Sequence, residues 1–369
     1  MKILDKINEP VSKVRPYQPG RPIEDVARDF GLNPDEIVKI ASNESVLGVS
    51  PKAQKALIEC VSNLHRYPDA GAWELRDKLS KKMNLEPDQF IFGAGSNEIL
   101  VFLAQVFLGP GKAVVASAHA FVIYKILTAM MGGDFIEVPV KAGLQHDLDA
   151  MAKAITPETS LVFVCNPNNP TGTLISQEEI DNFMEQVPDD VLVVFDEAYA
   201  EICLGEMPDT LSFVKKGKTC IVLRTFSKAY GLAGIRIGYG MASAELVSEL
   251  NKPRQPFNAN LAAQNMAVAA LDDDEFLQDS IEAYRSAKQY YEQLCNELEL
   301  EFIPSYANFV LIKTGNGGDI AQKLMALGVI VRPLQPYLLD DWIRVSFGTA
   351  EENQAFGSAI KQLRQSNDV

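Results

Sequence analysis

The sequence has few of the residues that build metal centres and disulfide frameworks. Its 369 residues include three histidines and five cysteines, and no two cysteines stand in a C-x-x-C pair. Zinc sites need clustered Cys and His ligands, and disulfide frameworks use an even number of closely spaced cysteines. We therefore predict no metal ion and no disulfide framework, and we expect a reducing compartment, the cytoplasm.

Positive charge and long apolar runs are also scarce. The chain carries 34 Lys and Arg residues against 49 Asp and Glu residues, a net charge of −15. No uninterrupted apolar run reaches the roughly 18 residues that a membrane span needs. These features disfavour nucleic acids and membranes as partners, so any anion-binding site must be a local feature of the fold.

The order of strand-like and helix-like segments predicts an α/β fold. Short β-branched or aromatic runs alternate with helix-length segments, and such alternation requires crossover connections between parallel strands. We predict a mostly parallel seven-stranded sheet between helices. Its strands are expected at Gln89–Phe92, Ala113–Ser117, Phe135–Val140, Leu161–Cys165, Val191–Phe195, Cys220–Arg224 and Arg236–Met241.

Proline-rich segments divide the chain into three parts. Prolines punctuate residues 1–40, which predicts an N-terminal arm that packs with a small domain. The segment Asn251–Pro256 breaks the strand–helix alternation and predicts a hinge. We therefore expect a large domain over 41–250 and a smaller α+β domain over 251–369, with a long helix around Glu275–Leu298 and strands near Asn308–Ile312 and Ile343–Ser346.

Chemistry is expected where the strands of such a sheet end, because ligands bind beyond their carboxyl ends. After the first predicted strand, Gly93–Glu98 leads into an apolar helix, an arrangement that presents free N–H groups to a phosphate. The same pattern alone also fits an ordinary capped turn. The fourth strand is followed by Asn166–Gly172, a proline- and asparagine-rich turn that leaves amide side chains projecting.

Two ionisable residues stand at the ends of later strands. Asp196 directly follows five apolar residues, and a carboxylate buried there needs a cationic partner. Lys228 follows the sixth strand among small and hydroxyl residues, where desolvation would lower its pKa and make the amine a nucleophile. Taken alone, Asp196 or Lys228 could equally be a charged residue on the surface. Together with the phosphate-binding turn Gly93–Glu98, the turn Asn166–Gly172 and Arg236, the two residues suit a phosphorylated pyridine aldehyde.

The sequence resembles the fold-type I pyridoxal-phosphate aminotransferases through the motifs Asn169–Gly172, Asp196–Tyr199 and Ser227-Lys228 with Arg236. The resemblance implies a pyridoxal 5′-phosphate cofactor and small-molecule substrates. It implies that Lys228 forms the Schiff base and carries the proton, that Asp196 holds the ring nitrogen, and that Asn169 and Tyr199 bind the 3-oxygen. The implied catalytic residues are Lys228, Asp196 and Tyr199, and the implied phosphate ligands are Ser96, Asn97, Thr225, Ser227 and Arg236.

The same resemblance implies a homodimer with shared active sites. Tyr67, in Arg66-Tyr67-Pro68-Asp69, matches a tyrosine that reaches the cofactor phosphate of the neighbouring subunit. Phe121 is the expected stacking residue on the pyridine ring, and Tyr124 is the alternative. His119 stands where the family usually has proline, which leaves the geometry of this turn open.

Within this group the sequence most resembles the histidinol-phosphate aminotransferases. The segments that carry the resemblance are Arg15–Gly20, Ala41–Glu44, Arg66–Asp69, Pro256–Asn258 with Asn260, Val331–Pro333 and Ile343–Val345. The implied reaction links L-histidinol phosphate and 2-oxoglutarate in L-histidine biosynthesis. A phosphate dianion favours two guanidinium groups, because bidentate charge-assisted bonds are strong. The implied substrate ligands are Tyr17, Asn43, Asn169, Arg332 and Arg344.

Three other functions remain open at this point. An aromatic or broad-specificity aminotransferase would need only Arg344 for an α-carboxylate, so Arg332 is the discriminating residue. A decarboxylase of a phosphorylated amino acid would use the same cofactor. A non-catalytic regulator with the same fold is disfavoured because Lys228, Asp196 and Asn169 are all present.

Overall fold

The computed structural model describes residues 3–12, 14 and 16–366 of the chain. The helices are α1 (Glu9–Ser12), α2 (Ile23–Phe30), α3 (Pro51–Cys60), α4 (Trp73–Met83), α5 (Ser96–Phe107), α6 (Ile123–Met131), α7 (Leu148–Lys153), α8 (Gln177–Gln186), α9 (Leu211–Lys215), α10 (Ala244–Leu250), α11 (Leu261–Ala270), α12 (Asp274–Glu297), α13 (Gly317–Ala326) and α14 (Ala350–Gln365). The strands are β1 (Val38–Lys39), β2 (Phe90–Gly93), β3 (Ala113–Ser117), β4 (Asp134–Val138), β5 (Thr159–Cys165), β6 (Leu192–Asp196), β7 (Cys220–Thr225), β8 (Gly238–Met241), β9 (Phe302–Ile303), β10 (Phe309–Lys313), β11 (Val329–Ile330), β12 (Arg332–Pro333) and β13 (Trp342–Ser346).

The seven predicted strand runs form one sheet, which confirms the α/β fold. The strand order is β2-β8-β7-β6-β5-β3-β4, and β8 runs in the direction opposite to the other six strands of this sheet. The bounds of β3 are those predicted, and the bounds of the other strands differ from the predicted ones by at most two residues. At the start of β8 the reason is local: Arg236 has a φ of +63°, a left-handed conformation that an extended strand does not contain.

Helices cover both faces of the large sheet because its central strands are apolar on both sides. Along β5, Leu161 and Phe163 pack in the cluster that contains α5 and α10 side chains, whereas Val162 and Val164 pack in the cluster of α8 and α9. Alternate side chains of a strand point to opposite faces, so one strand supplies both cores. The continuous apolar sequence of β5 is therefore required by its central position.

Capping side chains fix where two of the longer helices begin. At α8, Glu179 N–H donates to Ser176 Oγ (3.3 Å) and Ser176 N–H donates to the Glu179 carboxylate (3.1 Å). Thr349 and Glu352 make the same reciprocal pair at α14, with distances of 3.2 and 2.8 Å. These capping boxes satisfy N–H groups that have no partner within the helix.

A second, antiparallel sheet of order β12-β13-β10-β9 lies with α12, α13 and α14 in the C-terminal part of the chain. The arm joins this part directly, because β1 pairs in parallel with β11 and α2 packs against α13. Beyond the predicted hinge, α11 packs against α3 and α4. The boundary after residue 250 stays a prediction. Among the described residues, the helices include none with the length and apolar character to cross a membrane.

A buried ion pair stabilises the end of β6. Glu197 follows the strand, is fully buried, and accepts hydrogen bonds from Arg224 Nε (3.0 Å) and from the Thr210 hydroxyl. Burial raises the pKa of Glu197, and the Arg224 guanidinium opposes that rise. The carboxylate therefore depends on a single cation supplied by β7.

Replacing that cation should destabilise the protein strongly. We expect Arg224→Met to lower the free energy of unfolding by about 3–5 kcal/mol, because it leaves the buried Glu197 carboxylate without a cationic partner. The measurement is chemical denaturation followed by circular dichroism. The control is Lys361→Met, which removes an exposed ion pair with Glu297 and should cost less than about 1 kcal/mol. Equal losses in the two variants would contradict the assignment.

Candidate active site

A cavity of about 230 Å³ lies at the carboxyl edge of the large sheet, where β12 and β13 of the small sheet face the ends of β5, β6 and β7. The structure brings together in its lining every predicted site residue except Tyr67. The predicted residues in the lining are Tyr17, Asn43, Ser96, Asn97, Phe121, Asn169, Asp196, Tyr199, Thr225, Ser227, Lys228, Arg236, Arg332 and Arg344.

Lys228 presents its amine to the middle of this cavity. The side chain follows β7, and Nζ donates to the carbonyl oxygens of Asn43 (3.0 Å) and Ser42 (3.3 Å). Burial lowers the pKa of Lys228 to about 8, and repulsion from Arg344 acts in the same direction. The amine therefore carries an accessible lone pair near neutral pH, which a nucleophilic lysine requires.

Asp196 ends β6 and is buried with only one of its oxygens satisfied. Oδ2 accepts a hydrogen bond from the Tyr124 hydroxyl at 2.6 Å, whereas Oδ1 has no partner in the described part of the chain. Burial raises the pKa of Asp196 to about 6. A buried carboxylate oxygen without a donor is costly, so its position in the lining points to a ligand that brings one.

Two hydrogen-bond donors are held ready beside Asp196. Asn43 Nδ2 donates to the Tyr199 hydroxyl (3.0 Å), so the hydroxyl hydrogen of Tyr199 is left for another acceptor. Burial raises the pKa of Tyr199, so the hydroxyl keeps that hydrogen. Arg344 Nη1 donates to Asn169 Oδ1 (2.6 Å), which leaves the amide hydrogens of Asn169 available. Both residues can therefore donate to an oxygen on a bound ring.

An anion cradle lies at the start of α5. Ser96 is the first helical residue, and the helix presents unpaired N–H groups there. Arg236 Nη1 donates to Ser227 Oγ (3.3 Å), and the Thr225 hydroxyl donates to the same oxygen (3.0 Å). Gly95 adopts a φ of +81°, and a Cβ atom there would collide with the Arg236 guanidinium. The glycine therefore lets the guanidinium and the helix terminus approach one anion.

Two arginines form the opposite end of the cavity. Arg332 on β12 and Arg344 on β13 lie directly opposite each other across the strand pair, and both are buried. Arg332 Nη2 donates to the Gln18 carbonyl oxygen (2.7 Å), and its guanidinium lies 5.6 Å from the ring centroid of Tyr17. In the described part of the chain neither arginine forms an ion pair with a carboxylate, and Arg344 Nε is buried without a partner. Like charges placed opposite each other are unfavourable, so this pair requires an anion.

The structure places the two predicted stacking residues differently. Phe121 lines the cavity, whereas Tyr124 is fully buried behind it and does not. The Tyr124 ring instead stacks on Phe163, with centroids 4.2 Å apart. Tyr124 is therefore unavailable to stack on a ligand, and Phe121 remains the predicted stacking residue.

The turn that contains His119 differs from a proline turn. His119 has a φ of +58°, which the proline ring excludes. Its Nδ1 donates to the Tyr337 carbonyl oxygen at 2.6 Å, which links the turn after β3 to the C-terminal part of the chain. Tyr337 lines the cavity beside both arginines and was missed in the sequence. Nothing in a Gln-Pro-Tyr turn signals a binding residue.

Tyr67 lies outside the cavity and is 81% exposed, with its ring stacked on Phe257. This position suits neither a core role nor a role in the site of the same chain. Its predicted role across a dimer interface stays a prediction. Arg15, which belongs to one of the quoted segments, lies outside the described residues.

The fold and the cavity are those of the pyridoxal-phosphate aminotransferases. The chain belongs to the aminotransferase class I and II family, whose sequence model matches residues 35–360. Within it, the histidinol-phosphate aminotransferase of Akkermansia muciniphila is 46% identical to this chain over 363 residues, covering 98% of this chain and 100% of that protein. The histidinol-phosphate aminotransferase of Methylobacillus flagellatus is 44% identical, covering 96% of both chains.

A solved structure of another histidinol-phosphate aminotransferase superposes on this chain. Histidinol-phosphate aminotransferase from Sinorhizobium meliloti, in complex with pyridoxal-5′-phosphate, superposes with a TM-score of 0.88 at 27% identity and covers 98% of each chain. The resemblance predicted from the sequence is confirmed, and so are the aminotransferase class and the cofactor. An aspartate aminotransferase from Thermus thermophilus shares the fold, with a TM-score of 0.82 at 23% identity.

The residues of the cavity fit pyridoxal phosphate on three observations. The unpartnered Oδ1 of Asp196 suits a protonated ring nitrogen. The amine of Lys228 suits an aldehyde, because its lowered pKa leaves it nucleophilic. The cradle of Gly95, Ser96 and Arg236 suits a phosphate.

The lowered pKa of Lys228 predicts a measurable reactivity. In protein stripped of cofactor, reductive trapping of pyridoxal at Lys228 should rise with pH to a midpoint near 8, because only the neutral amine attacks. At pH 7 the neutral fraction should exceed that of an ordinary lysine by on the order of 100-fold. Peptide mass spectrometry across pH measures the adduct.

Two comparisons control that experiment. Lysines on the surface of the same sample report the reactivity of solvated amines, and Lys228→Ala shows that the adduct is at this residue. A midpoint above pH 10 for Lys228 would contradict the desolvated site.

Proposed function

We propose that this chain catalyses transamination between L-histidinol phosphate and 2-oxoglutarate, which gives imidazole-acetol phosphate and L-glutamate in L-histidine biosynthesis. The observation that carries the substrate assignment is the buried pair Arg332 and Arg344, which lacks a carboxylate partner among the described residues. A phosphate dianion or a dicarboxylate neutralises both guanidiniums. The names of the most similar relatives support the same reaction.

In this proposal the chain's own residues bind, orient and move protons around the cofactor. Bound pyridoxal phosphate supplies an aldehyde that condenses with amines and a ring that withdraws electrons from the substrate α-carbon. Lys228 would hold the aldehyde carbon and would move the proton at the α-carbon, because its lowered pKa of about 8 leaves part of the amine uncharged at working pH. Asp196 Oδ1 would accept a hydrogen bond from the ring N–H, and Asn169 and Tyr199 would donate to the 3-oxygen.

The two ends of the cavity bind different phosphate groups. Thr225, Ser227 and Arg236, with the start of α5 at Ser96 and Asn97, hold the cofactor phosphate. Arg332, Arg344 and Tyr17 hold the substrate's phosphate, and the same arginines hold the carboxylates of glutamate in the other half-reaction. Asn43 and Asn169 fix the orientation of the donors between the two ends.

The decisive experiment is absorbance of the holoprotein titrated separately with histidinol phosphate and with phenylalanine, without a keto acid. Loss of the bound-cofactor band at far lower histidinol phosphate than phenylalanine is the expected result. Equal or better reaction with phenylalanine would instead assign an aromatic aminotransferase.

Arg332→Ala should weaken the reaction with histidinol phosphate and leave the reaction with phenylalanine unchanged in that assay. We expect the histidinol phosphate concentration for half-maximal reaction to rise by about 10- to 100-fold, the ~1.5–3 kcal/mol of a bond to a charged group. Phenylalanine should react as before, because Arg344 alone holds an α-carboxylate. Arg285→Ala, which removes an exposed arginine of α12, is the matched control and should change neither value. An equal rise in the half-maximal concentration for both substrates would contradict the proposed role of Arg332.

We further propose that the protein is a cytoplasmic homodimer with shared sites, organised as arm 1–40, large domain 41–250 and small domain 251–369. Free cysteines support the compartment. The dimer is supported by exposed apolar side chains concentrated between α3 and the start of α4, a patch of the kind that marks an interface. The patch consists of Ile58, Val61, Leu64, Tyr67 and Trp73. A second copy that covers it would carry Tyr67 to the partner's cofactor phosphate.

Mixed dimers test whether sites are shared. Lys228→Ala should be inactive, and Tyr67→Ala should lose activity by about 10-fold or more, the effect of one bond to a phosphate. A mixed dimer of the two variants contains one site with both residues intact and should have about half the wild-type activity. Random exchange of equal amounts makes about half of the dimers mixed, so the activity of the whole sample should recover to roughly a quarter of the wild-type value. Subunit exchange followed by activity measurement gives the answer, and the absence of recovery would contradict a shared site.

A further inference from the structure

Tyr124 is held immobile behind the cavity by aromatic contacts on two sides. Its ring, on α6, stacks on Phe163 at 4.2 Å with an interplanar angle of 3°, and Phe121 packs edge-on against it at 5.7 Å and 88°. The residue is fully buried. Its hydroxyl therefore has one fixed position, which is 2.6 Å from Asp196 Oδ2.

This hydroxyl always donates to Asp196. Burial raises the pKa of Tyr124 well above its ordinary value, so the phenol keeps its proton. Burial raises the pKa of Asp196 to about 6. The Tyr124 hydroxyl and then the Ala198 backbone N–H act against that rise, and the neighbouring Glu197 carboxylate acts with it. The other ionisable group in contact is the Cys165 thiol, whose pKa burial also raises, so it stays neutral.

The bond also decides which oxygen faces a ligand. With Oδ2 occupied by Tyr124, only Oδ1 is left without a partner, and Asp196 lines the cavity. A short bond to an ionised acceptor is a strong one, so it favours the carboxylate over the protonated acid. A proton shared between Oδ1 and a ring nitrogen would then reside on the nitrogen.

We propose that Tyr124 is a positioning residue that keeps Asp196 ionised with Oδ1 turned to the cavity, so that the pyridine nitrogen of the bound cofactor stays protonated. The inference rests on the role of Asp196 in the proposed function. Tyr124 touches neither substrate nor cofactor and acts only through the carboxylate.

The test uses Tyr124→Phe, reconstituted with pyridoxal phosphate that carries ¹⁵N in the ring. At pH 7 the ring-nitrogen resonance should move from the protonated toward the neutral pyridine position, and the affinity for the cofactor should fall about tenfold, or ~1.4 kcal/mol. The matched control is Tyr291→Phe, which removes a buried hydroxyl that donates to Asn353 Oδ1 at 2.9 Å away from the cavity. The control should leave the resonance unchanged, and an unchanged resonance in Tyr124→Phe would overturn the inference.

Asp196→Asn separates this inference from the proposed function. If Asp196→Asn leaves the nitrogen resonance unchanged, the role of Asp196 itself fails. If Asp196→Asn moves it and Tyr124→Phe does not, only the role of Tyr124 fails. Adding Tyr124→Phe to Asp196→Asn should cause no further movement, and a further movement as large as that of the single variant would show that Tyr124 acts independently of the carboxylate.

Discussion

Burial of incompletely partnered ionisable groups at the carboxyl edge of the large sheet is the constraint on which the site depends. Lys228 loses water and gains only carbonyl acceptors, so its pKa falls to about 8. Asp196 loses water and gains one hydroxyl, so its pKa rises to about 6. One residue further, Glu197 has a full complement of donors from Arg224 and Thr210. The contrast shows that this fold can satisfy a buried carboxylate, and that it leaves Asp196 open for a ligand.

One short segment, residues 40–43, contacts both the second sheet and the Lys228 amine. Ile40 accepts a backbone hydrogen bond from Ser346 (2.9 Å), and Ala41 accepts one from Arg344 Nη2 (2.8 Å). Asn43 then adopts a φ of +54°, and its carbonyl oxygen meets Lys228. Movement of the small sheet would therefore reach the reacting amine through residues 40–43. This coupling gives the junction between the arm and the large domain a role in placing catalytic groups.

Residues that follow strand ends could be predicted from the sequence, and residues placed by tertiary contacts could not. Asp196, Lys228 and Arg236 follow apolar strand runs, and the topology of a parallel sheet brings such ends together. Tyr124 looks like an ordinary apolar position of an amphipathic helix, because its hydroxyl finds Asp196 only when α6 docks on the sheet. Tyr337 reaches the cavity through a contact with His119 that spans 218 residues. The fold was also predictable, because the alternation of strand-like and helix-like segments implies crossover connections between parallel strands.

The two guanidiniums explain why this cavity should prefer doubly charged ligands. Arg332 and Arg344 face each other across paired strands, so each raises the electrostatic cost of the other. A phosphate dianion or the second carboxylate of 2-oxoglutarate removes that cost for both. A ligand with a single carboxylate satisfies Arg344 and leaves Arg332 buried with only a carbonyl and the face of Tyr17. Selectivity then arises because only a doubly charged ligand neutralises the second guanidinium, which is already without a carboxylate partner in the free cavity.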